Sequence, residues 1–237
     1  MKRVLITGYN GFVGENLIEK LETVDEYSLI RFGRQENDQQ LEQYVDAADF
    51  IFHLAGINRP PDEKEFYEGN FVLTKKIVDF LIKNNKKTSV VFSSSIQAEL
   101  NNPYGISKAM AEKELIRYRN VTGASIFLYR LPNLFGRGVR PNYNSVVATF
   151  LYNIKYDKEI KINDPDKELT LVYIDDLLDE FVKVLEGKRE SRVGFYSISK
   201  TYQITLRELA ECIYEIKADH KCDLDIYEPL LKTYLTY

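Results

Sequence analysis

Three evenly spaced glycines near the N-terminus restrict the folds open to this chain more than any other feature. The apolar run Val4–Thr7 ends at Gly8, and Gly11 and Gly14 follow before a stretch with apolar residues at helical spacing. A strand, a glycine-rich turn and a helix form the first unit of a dinucleotide-binding fold, in which the backbone approaches a pyrophosphate at the helix N-terminus. A tight turn without a ligand is the alternative. Candidate cofactor contacts in this turn are Gly8, Asn10, Gly11, Phe12, Val13 and Gly14.

The end of the second predicted strand indicates which dinucleotide is bound. An NAD site usually carries an acidic residue there, about 20 residues after the glycines, which binds the ribose hydroxyls. Here Gly33 and Arg34 occupy that place. A guanidinium can bind the 2′-phosphate of NADPH with two hydrogen bonds, whereas a carboxylate would repel it. We therefore predict NADPH, with Arg34 as the phosphate contact and Arg31 as a weaker candidate, although Glu36 and Asp38 are close enough in sequence to reach back.

A third apolar strand leads into a segment of small residues. Phe50–Phe52 is followed by His53, Leu54, Ala55 and Gly56. Small side chains let the backbone pass close to an adenine and its ribose, so Leu54, Ala55 and Gly56 are candidate cofactor contacts. A histidine at a strand end is more often packed and hydrogen-bonded than a base, and we assign His53 no proton-transfer role.

A serine, a tyrosine and a lysine form a candidate catalytic group. Ser95 ends a run of three serines, and Tyr104 and Lys108 lie four residues apart, which puts them on one face of a helix. A nearby ammonium favours the phenolate and would lower the pKa of Tyr104 from about 10. A keto oxygen held between Ser95 and Tyr104 could then receive a proton while its carbon gains a hydride. The alternative is an accidental tyrosine–lysine spacing in a chain with 17 tyrosines.

Strand and helix patterns alternate over roughly the first 130 residues, which predicts a parallel sheet covered on both faces. The predicted fold class is α/β: a Rossmann-like doubly wound parallel sheet over residues 1–130 with a small C-terminal substrate-binding lobe. That lobe takes most of 131–237, and one or two segments return to the core. The predicted strands are Val4–Thr7, Ser28–Phe32, Phe50–Leu54, Val90–Ser93 and Ser125–Arg130. The predicted helices are Gly14–Glu22, Thr74–Asn84, Tyr104–Arg119, Leu177–Leu185 and one opening at a capping box, Thr205–Glu208.

The stretch after Leu131 is rich in loop-forming and polar residues. Two arginines and three asparagines lie between Pro132 and Asn144. Guanidinium groups can hold a pyrophosphate and amides can bind sugar hydroxyls, so we interpret the stretch as a cradle for a diphosphate sugar. A solvated surface loop is the alternative.

The composition excludes several classes of partner. The 237-residue chain has a net charge of −4 and a pI near 5.5, so a broad basic face for nucleic acid is not expected. We predict no membrane span and no signal peptide, because no apolar stretch is long enough and the charged start leads straight into a strand. Cys212 and Cys222 are too few for a disulfide framework and have no metal-ligand neighbours, so we predict no metal site and a reducing cytoplasm.

The order and spacing of these motifs resemble those of the extended short-chain dehydrogenase/reductases over nearly the whole chain. Three further stretches resemble the N-terminal reductase part of the CapF-type capsule enzymes, which make UDP-N-acetyl-L-fucosamine. These stretches are Leu54–Pro60, Ser93–Ala98 and Pro141–Val146.

This resemblance implies an NADPH-dependent oxidoreductase that reduces the C4 keto group of a UDP-bound 4-keto-6-deoxy-HexNAc sugar. It implies that Tyr104 is the acid, that Lys108 lowers its pKa and holds the nicotinamide ribose, and that Ser95 binds the keto oxygen. Ser93 and Ser94 would line the cofactor side. The cofactor contacts it adds are Ser93, Tyr104, Lys108 and Leu131. The substrate contacts are Ser95, Gln97, Asn133, Arg140, Asn142, Asn144 and Ser145.

The resemblance also bears on assembly and on rival functions. A homodimer is usual for such enzymes, and CapF-type chains continue into a cupin epimerase domain that this sequence lacks, so we expect a stand-alone reductase or part of a longer protein. An NAD-dependent nucleotide-sugar 4-epimerase and a dTDP-4-keto-rhamnose reductase stay open as alternatives. So do an assembly module for a cupin partner and a non-catalytic NADPH-binding sensor, although sensors commonly lose the tyrosine or the lysine.

Overall fold

Nine strands and nine α-helices make up the chain, whose computed structural model describes residues 1–237. The strands are β1 (Lys2–Thr7), β2 (Tyr27–Phe32), β3 (Phe50–His53), β4 (Ser89–Ser95), β5 (Ile126–Leu131), β6 (Asn133–Phe135), β7 (Glu168–Tyr173), β8 (Phe195–Tyr196) and β9 (Tyr202–Thr205). The helices are α1 (Phe12–Glu22), α2 (Asp38–Ala47), α3 (Lys64–Phe66), α4 (Leu73–Lys83), α5 (Pro103–Thr122), α6 (Val146–Lys155), α7 (Ile174–Leu185), α8 (Leu206–Lys217) and α9 (Tyr227–Leu235). A π-helical turn, Tyr67–Val72, joins α3 to α4, and a 3₁₀ turn, Ile96–Glu99, follows β4. None of the helices combines the length and apolar character needed to cross a bilayer.

The chain divides into two compact units. The first contains Met1–Leu131 and Phe181–Ser197, and the second contains Pro132–Glu180 and Ile198–Tyr237. Each unit has its own sheet, so each is described by itself.

Six parallel strands form the sheet of the first unit, in the order β2-β1-β3-β4-β5-β8. Thr7 pairs with His53, and Ser95 pairs with Leu131, so the carboxyl ends of the central strands meet at one edge. In open α/β sheets this edge is where ligands bind. The predicted α/β class and Rossmann-like parallel sheet are confirmed.

Helices flank this sheet on both faces because strand side chains alternate between them. One face packs against α2, α4 and α5, whose buried apolar residues form one cluster with Leu5, Ile51, Val90, Phe92, Ile126 and Leu128. On the opposite face, the ring of Phe181 lies 5.5 Å from that of Phe52 and 5.3 Å from that of Tyr129. The sheet therefore has helices on both faces, as the alternating strand and helix patterns predicted.

In the second unit, β7 pairs in parallel with β6 and antiparallel with β9. Helix α6 packs against α8 and α9. The predicted capping box is confirmed, since Thr205 accepts a hydrogen bond from the backbone of Glu208 and the Glu208 carboxylate accepts one in return. Cys212 of α8 forms a disulfide with Cys222, a bond that the sequence analysis did not predict.

The start of α7 differs from its prediction. The helix begins at Ile174, which places Asp175 and Asp176 in its first turn rather than before it. Asp175 accepts a hydrogen bond from Arg137 at 2.7 Å, and Asp176 accepts one from Tyr202 at 3.2 Å. Both carboxylates therefore pair with side chains and also suit the positive end of the helix dipole.

Candidate active site

The glycine-rich turn is too tight for side chains at two of its glycines. Gly8 has a φ of 70°, and a Cβ on it would lie 2.6 Å from the backbone of Ala55. A Cβ on Gly14 would lie 2.4 Å from the carbonyl oxygen of Gly8. Gly11 precedes α1 without providing a side-chain cap, so the first amides of α1 are left for another acceptor. Phe12 and Val13 carry those amides, and Asn10 lies exposed in the turn.

The end of β2 carries two opposite charges. Arg34 is exposed, whereas the Glu36 carboxylate turns back and accepts a hydrogen bond from the backbone N–H of Gly33 at 2.7 Å. Arg31, the weaker candidate for the 2′-phosphate, forms an ion pair with Glu22. Arg34 thus stays the candidate for a 2′-phosphate, and the Glu36 carboxylate lies at the same end of β2.

A buried chain of hydrogen bonds begins beside the glycine-rich turn. The Thr7 hydroxyl accepts from the Ala55 N–H at 3.2 Å and lies 2.7 Å from Nδ1 of His53. The other ring nitrogen, Nε2, lies 2.8 Å from the Thr74 hydroxyl, which donates to the carbonyl oxygen of Asn70 at 2.6 Å. Thr74 donates its hydroxyl proton to Asn70, so it can only accept a hydrogen bond from His53. The ring proton of His53 therefore resides on Nε2. Burial lowers the pKa of His53 to about 3, so the ring is neutral, and nothing here requires it to transfer protons.

Asn70 is a site residue that the sequence analysis missed. It lies in the π-helical turn and is 1% exposed. Its Oδ1 accepts from the Ile57 N–H at 2.8 Å, and its Nδ2 donates to the Ile57 carbonyl at 3.0 Å and to the Ser107 hydroxyl at 2.9 Å. Ser107 in turn donates to the carbonyl oxygen of Tyr104 at 2.7 Å. Asn70 therefore ties the segment after β3 to the first turn of α5, and π-helical turns are frequent at functional sites.

The first turn of α5 is fixed at its start. The Asn102 side chain caps the helix by accepting the Gly105 N–H at 2.8 Å, and Pro103 occupies the first helical position. A Cβ on Gly105 would lie 2.1 Å from the carbonyl oxygen of Gln97 and 2.7 Å from that of Leu100. The glycine thus lets α5 approach the 3₁₀ turn that follows Ser95.

The Ser95 and Tyr104 side chains lie next to each other, close enough for the Ser95 hydroxyl to affect the pKa of the phenol. The Ser95 hydroxyl also accepts the Gln97 N–H at 3.2 Å. The ring of Phe66 lies 5.7 Å from that of Tyr104. Burial raises the pKa of Tyr104, and the nearby Ser95 hydroxyl lowers it by a smaller amount.

Lys108 is buried beside this pair but does not act on it as predicted. Its ammonium donates to the carbonyl oxygen of Ser93 at 2.7 Å and lies 4.3 Å from the centre of the Phe92 ring. A Cβ on Gly56 would lie 3.6 Å from the same nitrogen. Burial lowers the pKa of Lys108 to about 8. The prediction that this ammonium lowers the pKa of Tyr104 is wrong for this structure, because burial outweighs other influences and raises it.

The remaining candidates of the first unit lie near β4 and β5. Leu131 ends β5 opposite Ser95, and Gln97 is exposed in the 3₁₀ turn. The Ser94 hydroxyl is buried and donates to Glu112 at 2.5 Å, and its place on the cofactor side stays a prediction. Strand position alone could not reveal a partner eighteen residues away.

The candidate substrate contacts after Leu131 lie in the second unit. Asn133 begins β6, and Asn133, Arg140, Asn142 and Asn144 are exposed. Asn142 has a left-handed backbone with a φ of 54° and donates to the Asn153 side chain at 3.3 Å. Ser145 caps α6 through the Ala148 N–H at 3.2 Å. Their role in substrate binding stays a prediction.

Comparison with known families gives one match over most of the chain. Residues 4–199 match the family described as Epimerase, the NAD dependent epimerase/dehydratase family. The chain is 43% identical over 219 residues to a UDP-2-acetamido-2,6-beta-L-arabino-hexul-4-ose reductase of Pseudomonas aeruginosa. The match covers 92% of this chain and 59% of that relative.

Solved structures give a similar result. The capsular polysaccharide assembling protein CapF of Staphylococcus aureus superposes with a TM-score of 0.87 at 40% identity, covering 99% of this chain and 65% of that one. A UDP-glucuronic acid 4-epimerase of Bacillus cereus, solved in complex with NAD, superposes with a TM-score of 0.86 at 17% identity, covering 99% of this chain and 96% of that one. The second likeness shows the fold alone. The chain thus spans 59–65% of the length of the reductase and of CapF.

Proposed function

The chain belongs to the NAD dependent epimerase/dehydratase family, and on that premise we propose that it reduces the C4 keto group of a UDP-bound 4-keto-6-deoxy-HexNAc sugar with NADPH. The observation that carries the proposal is the proximity of the Ser95 and Tyr104 side chains, with the Lys108 ammonium buried on the same helix as Tyr104. The Pseudomonas aeruginosa reductase, similar over 92% of the chain, supports this class of substrate.

The residues present fit a nicotinamide dinucleotide. Gly8 and Gly14 leave a backbone surface that any Cβ would fill, and the uncapped start of α1 suits a pyrophosphate. Gly56 and Lys108 lie side by side where the nicotinamide ribose would be held. Arg34 would hold the 2′-phosphate that distinguishes NADPH. When bound, the cofactor supplies the hydride.

The side chains of the site then supply the proton. Because burial raises the pKa of Tyr104, its phenol carries a proton at neutral pH and can donate it to the oxygen of the keto group. The Ser95 hydroxyl lies beside the phenol and can share that oxygen. Lys108, with a pKa of about 8, is charged at neutral pH and fixes the end of β4 through the Ser93 carbonyl.

The test is NADPH oxidation with a panel of UDP- and dTDP-linked 4-keto sugars. We expect turnover with UDP-4-keto-6-deoxy-HexNAc sugars and a fall of roughly 10²–10⁴-fold in Tyr104→Phe, the usual contribution of a positioned proton donor. NADPH affinity should stay unchanged. Tyr214→Phe, at a tyrosine that is 52% exposed, is the matched control and should behave as wild type. Full activity of Tyr104→Phe would refute the assignment, and turnover of dTDP sugars alone would refute the substrate class.

The observation that favours a second candidate, an NAD-dependent 4-epimerase, is the Glu36 carboxylate at the end of β2. An acidic side chain at this place binds the ribose hydroxyls of NAD. An epimerase would interconvert UDP-hexoses with no net oxidation of added NADPH and would retain NAD through purification. The same panel, extended to UDP-hexoses, separates the two activities.

Assembly and location follow as further parts of the proposal. We propose a homodimer through α5, which is supported by the exposed apolar residues Ile106, Ile116 and Val121 along it. Light scattering would show a monomer if this is wrong. The cupin epimerase partner stays a prediction. We also propose a cytoplasmic location, against which the Cys212–Cys222 bond counts because disulfides are rare there.

A further inference from the structure

A buried carboxylate lies directly behind the candidate catalytic lysine. Glu112 follows Lys108 by one helical turn and Tyr104 by two, so the three share one face of α5. Glu112 is 3% exposed. Its Oε1 accepts from the Ser94 hydroxyl at 2.5 Å and from Nε of Arg130 at 3.0 Å, and its Oε2 accepts from Nη2 of Arg130 at 2.8 Å.

The Glu112 carboxylate is fixed in place because its main partner, Arg130, is itself bound on several sides. Arg130 uses two nitrogens on Glu112 and a third on Glu99, at 2.7 Å. Its guanidinium also lies 3.5 Å from the centre of the Phe195 ring. A buried ion pair of this kind is often no more stabilising than apolar residues of the same volume. Stability alone is therefore a weak reason for this group at this position.

The surroundings of Lys108 indicate what the carboxylate does. Its ammonium meets the Ser93 carbonyl and the Phe92 ring of β4. Two titratable side chains face the Lys108 ammonium without a charge of their own at neutral pH. His53 of β3 is neutral, and Tyr104 on the same helix is protonated. Arg130 of β5 is a cation, but it is bound to Glu112. Burial disfavours the ammonium, and Glu112 is the carboxylate whose charge opposes that effect.

We propose that Glu112 is a positioning residue for Lys108: fixed by Ser94 and Arg130, its carboxylate keeps the neighbouring ammonium protonated and directed at the Ser93 carbonyl. The consequence for turnover rests on the proposed function, because the charged lysine is the stronger donor to the cofactor ribose and to the end of β4. The electrostatic link itself exists without substrate or cofactor and can be measured without them.

The test follows the Lys108 ammonium directly by NMR. The full chain is labelled with ¹³Cε-lysine, the Lys108 signal is identified by its loss in Lys108→Arg, and the pH is raised from 6 to 10. We expect a midpoint near 8 in the wild type. In Glu112→Gln the midpoint should be lower by about one pH unit or more, the usual effect of removing a close opposite charge. The control is Glu114→Gln, at a carboxylate on α5 that pairs with Arg117 at 2.8 Å, and it should leave the midpoint unchanged.

An unchanged midpoint in Glu112→Gln overturns the proposal, even if activity is lost, because loss of activity alone would follow from disturbed packing. If that variant does not fold, Glu112→Asp is assessed alone, since it keeps the charge but withdraws it from the ammonium by one methylene. A lowered midpoint then supports the proposal, and an unchanged one overturns it. Where the substrate panel shows turnover, the pH at which kcat/KM declines should move with the midpoint. If the panel shows no turnover, the proposed function fails while the NMR result stands by itself.

Discussion

Gly105 allows the position of Tyr104 to be tested without changing any polar group. A methyl at Gly105 would lie 2.1 Å from the backbone oxygen of Gln97, about 1.3 Å short of an ordinary contact of 3.4 Å. The second close atom, 2.7 Å away, is the backbone oxygen of Leu100. No flexible side chain can move aside, so in Gly105→Ala the first turn of α5 must move away from the 3₁₀ turn. Tyr104 would move with it, away from Ser95.

The displacement sets the size of the effect. A misplacement on the order of 1 Å costs roughly 10²-fold in rate, or about 2.7 kcal/mol of transition-state stabilisation. Overpacking costs about 1–3 kcal/mol of folding free energy, and replacing a helical glycine with alanine returns about 1 kcal/mol. We therefore expect kcat/KM to fall by roughly 10²-fold while the free energy of unfolding falls by at most about 2 kcal/mol. NADPH affinity should change little, because the glycine-rich turn is untouched.

The other end of the same helix offers the matched control. Gly123 caps α5 with a φ of 73°, and a Cβ there would meet no heavy atom within 4 Å. Gly123→Ala should cost about 1–2 kcal/mol of stability through its left-handed backbone and leave the start of the helix in place. Both variants would be assayed for NADPH oxidation and for urea unfolding at one temperature.

Comparing the two variants separates displacement from general destabilisation. If Gly105→Ala retains wild-type kcat/KM, the first turn of α5 does not need its contact with the 3₁₀ turn, and the reasoning fails. If Gly123→Ala loses as much activity as Gly105→Ala, the loss reflects stability rather than the placement of Tyr104. A loss confined to Gly105→Ala supports the geometry.

Three further outcomes follow from the structure. Arg34→Ala should weaken NADPH binding by roughly tenfold or more and leave NADH binding unchanged, since a charge-assisted hydrogen bond contributes about 1.5–3 kcal/mol; equal losses in fluorescence titrations would contradict the 2′-phosphate role. Burial lowers the pKa of His53 from 6.5 to about 3, so below pH 6.5 the unfolded chain binds a proton that the folded chain does not. Urea unfolding should therefore show stability falling as the pH drops from 6.5 toward 3, by at most about 1.4 kcal/mol per pH unit, and His53→Gln should lack this part of the slope. Reducing the Cys212–Cys222 bond, which spans 10 residues, should lower the free energy of unfolding by up to about 3 kcal/mol. Cys222→Ser should not respond to dithiothreitol in the same unfolding assay.

Local patterns predicted the features whose causes are local. The strand, the glycine-rich turn and the first helix follow from apolar spacing and from Gly8, whose left-handed φ a side chain would strain. The predicted start of α5, Tyr104, lies one residue after the observed start, Pro103, and the Asn102 side chain caps the helix just before it. Helix α2 was not predicted, because it contains few apolar residues. Its capping box at Asn37 and Gln40 is nevertheless a local pattern.

Features that depend on distant partners could not be predicted in this way. Asn70 is a site residue because it meets Ile57 and Ser107, the latter thirty-seven residues away. Strands β6, β7 and β9 form a sheet through pairings between separate segments, which periodicity within one segment does not indicate. The hydrogen bond from Ser94 to Glu112 could not be predicted for the same reason, since its partner lies on α5.

Burial explains why the pKa of Tyr104 is raised and not lowered as predicted. A raised pKa still suits a reductase. Spacing brought a phenol and an ammonium together, but it could not show that Lys108 is buried and Tyr104 partly buried, which disfavours the charged form of each. The pKa of Tyr104 is therefore raised and that of Lys108 is lowered, and at neutral pH both groups still hold their protons. A reduction begins with a protonated phenol, whereas an epimerisation that begins by oxidising a hydroxyl needs the phenolate. The same burial that contradicts the predicted pKa thus favours proton donation by Tyr104, and hence reduction over epimerisation.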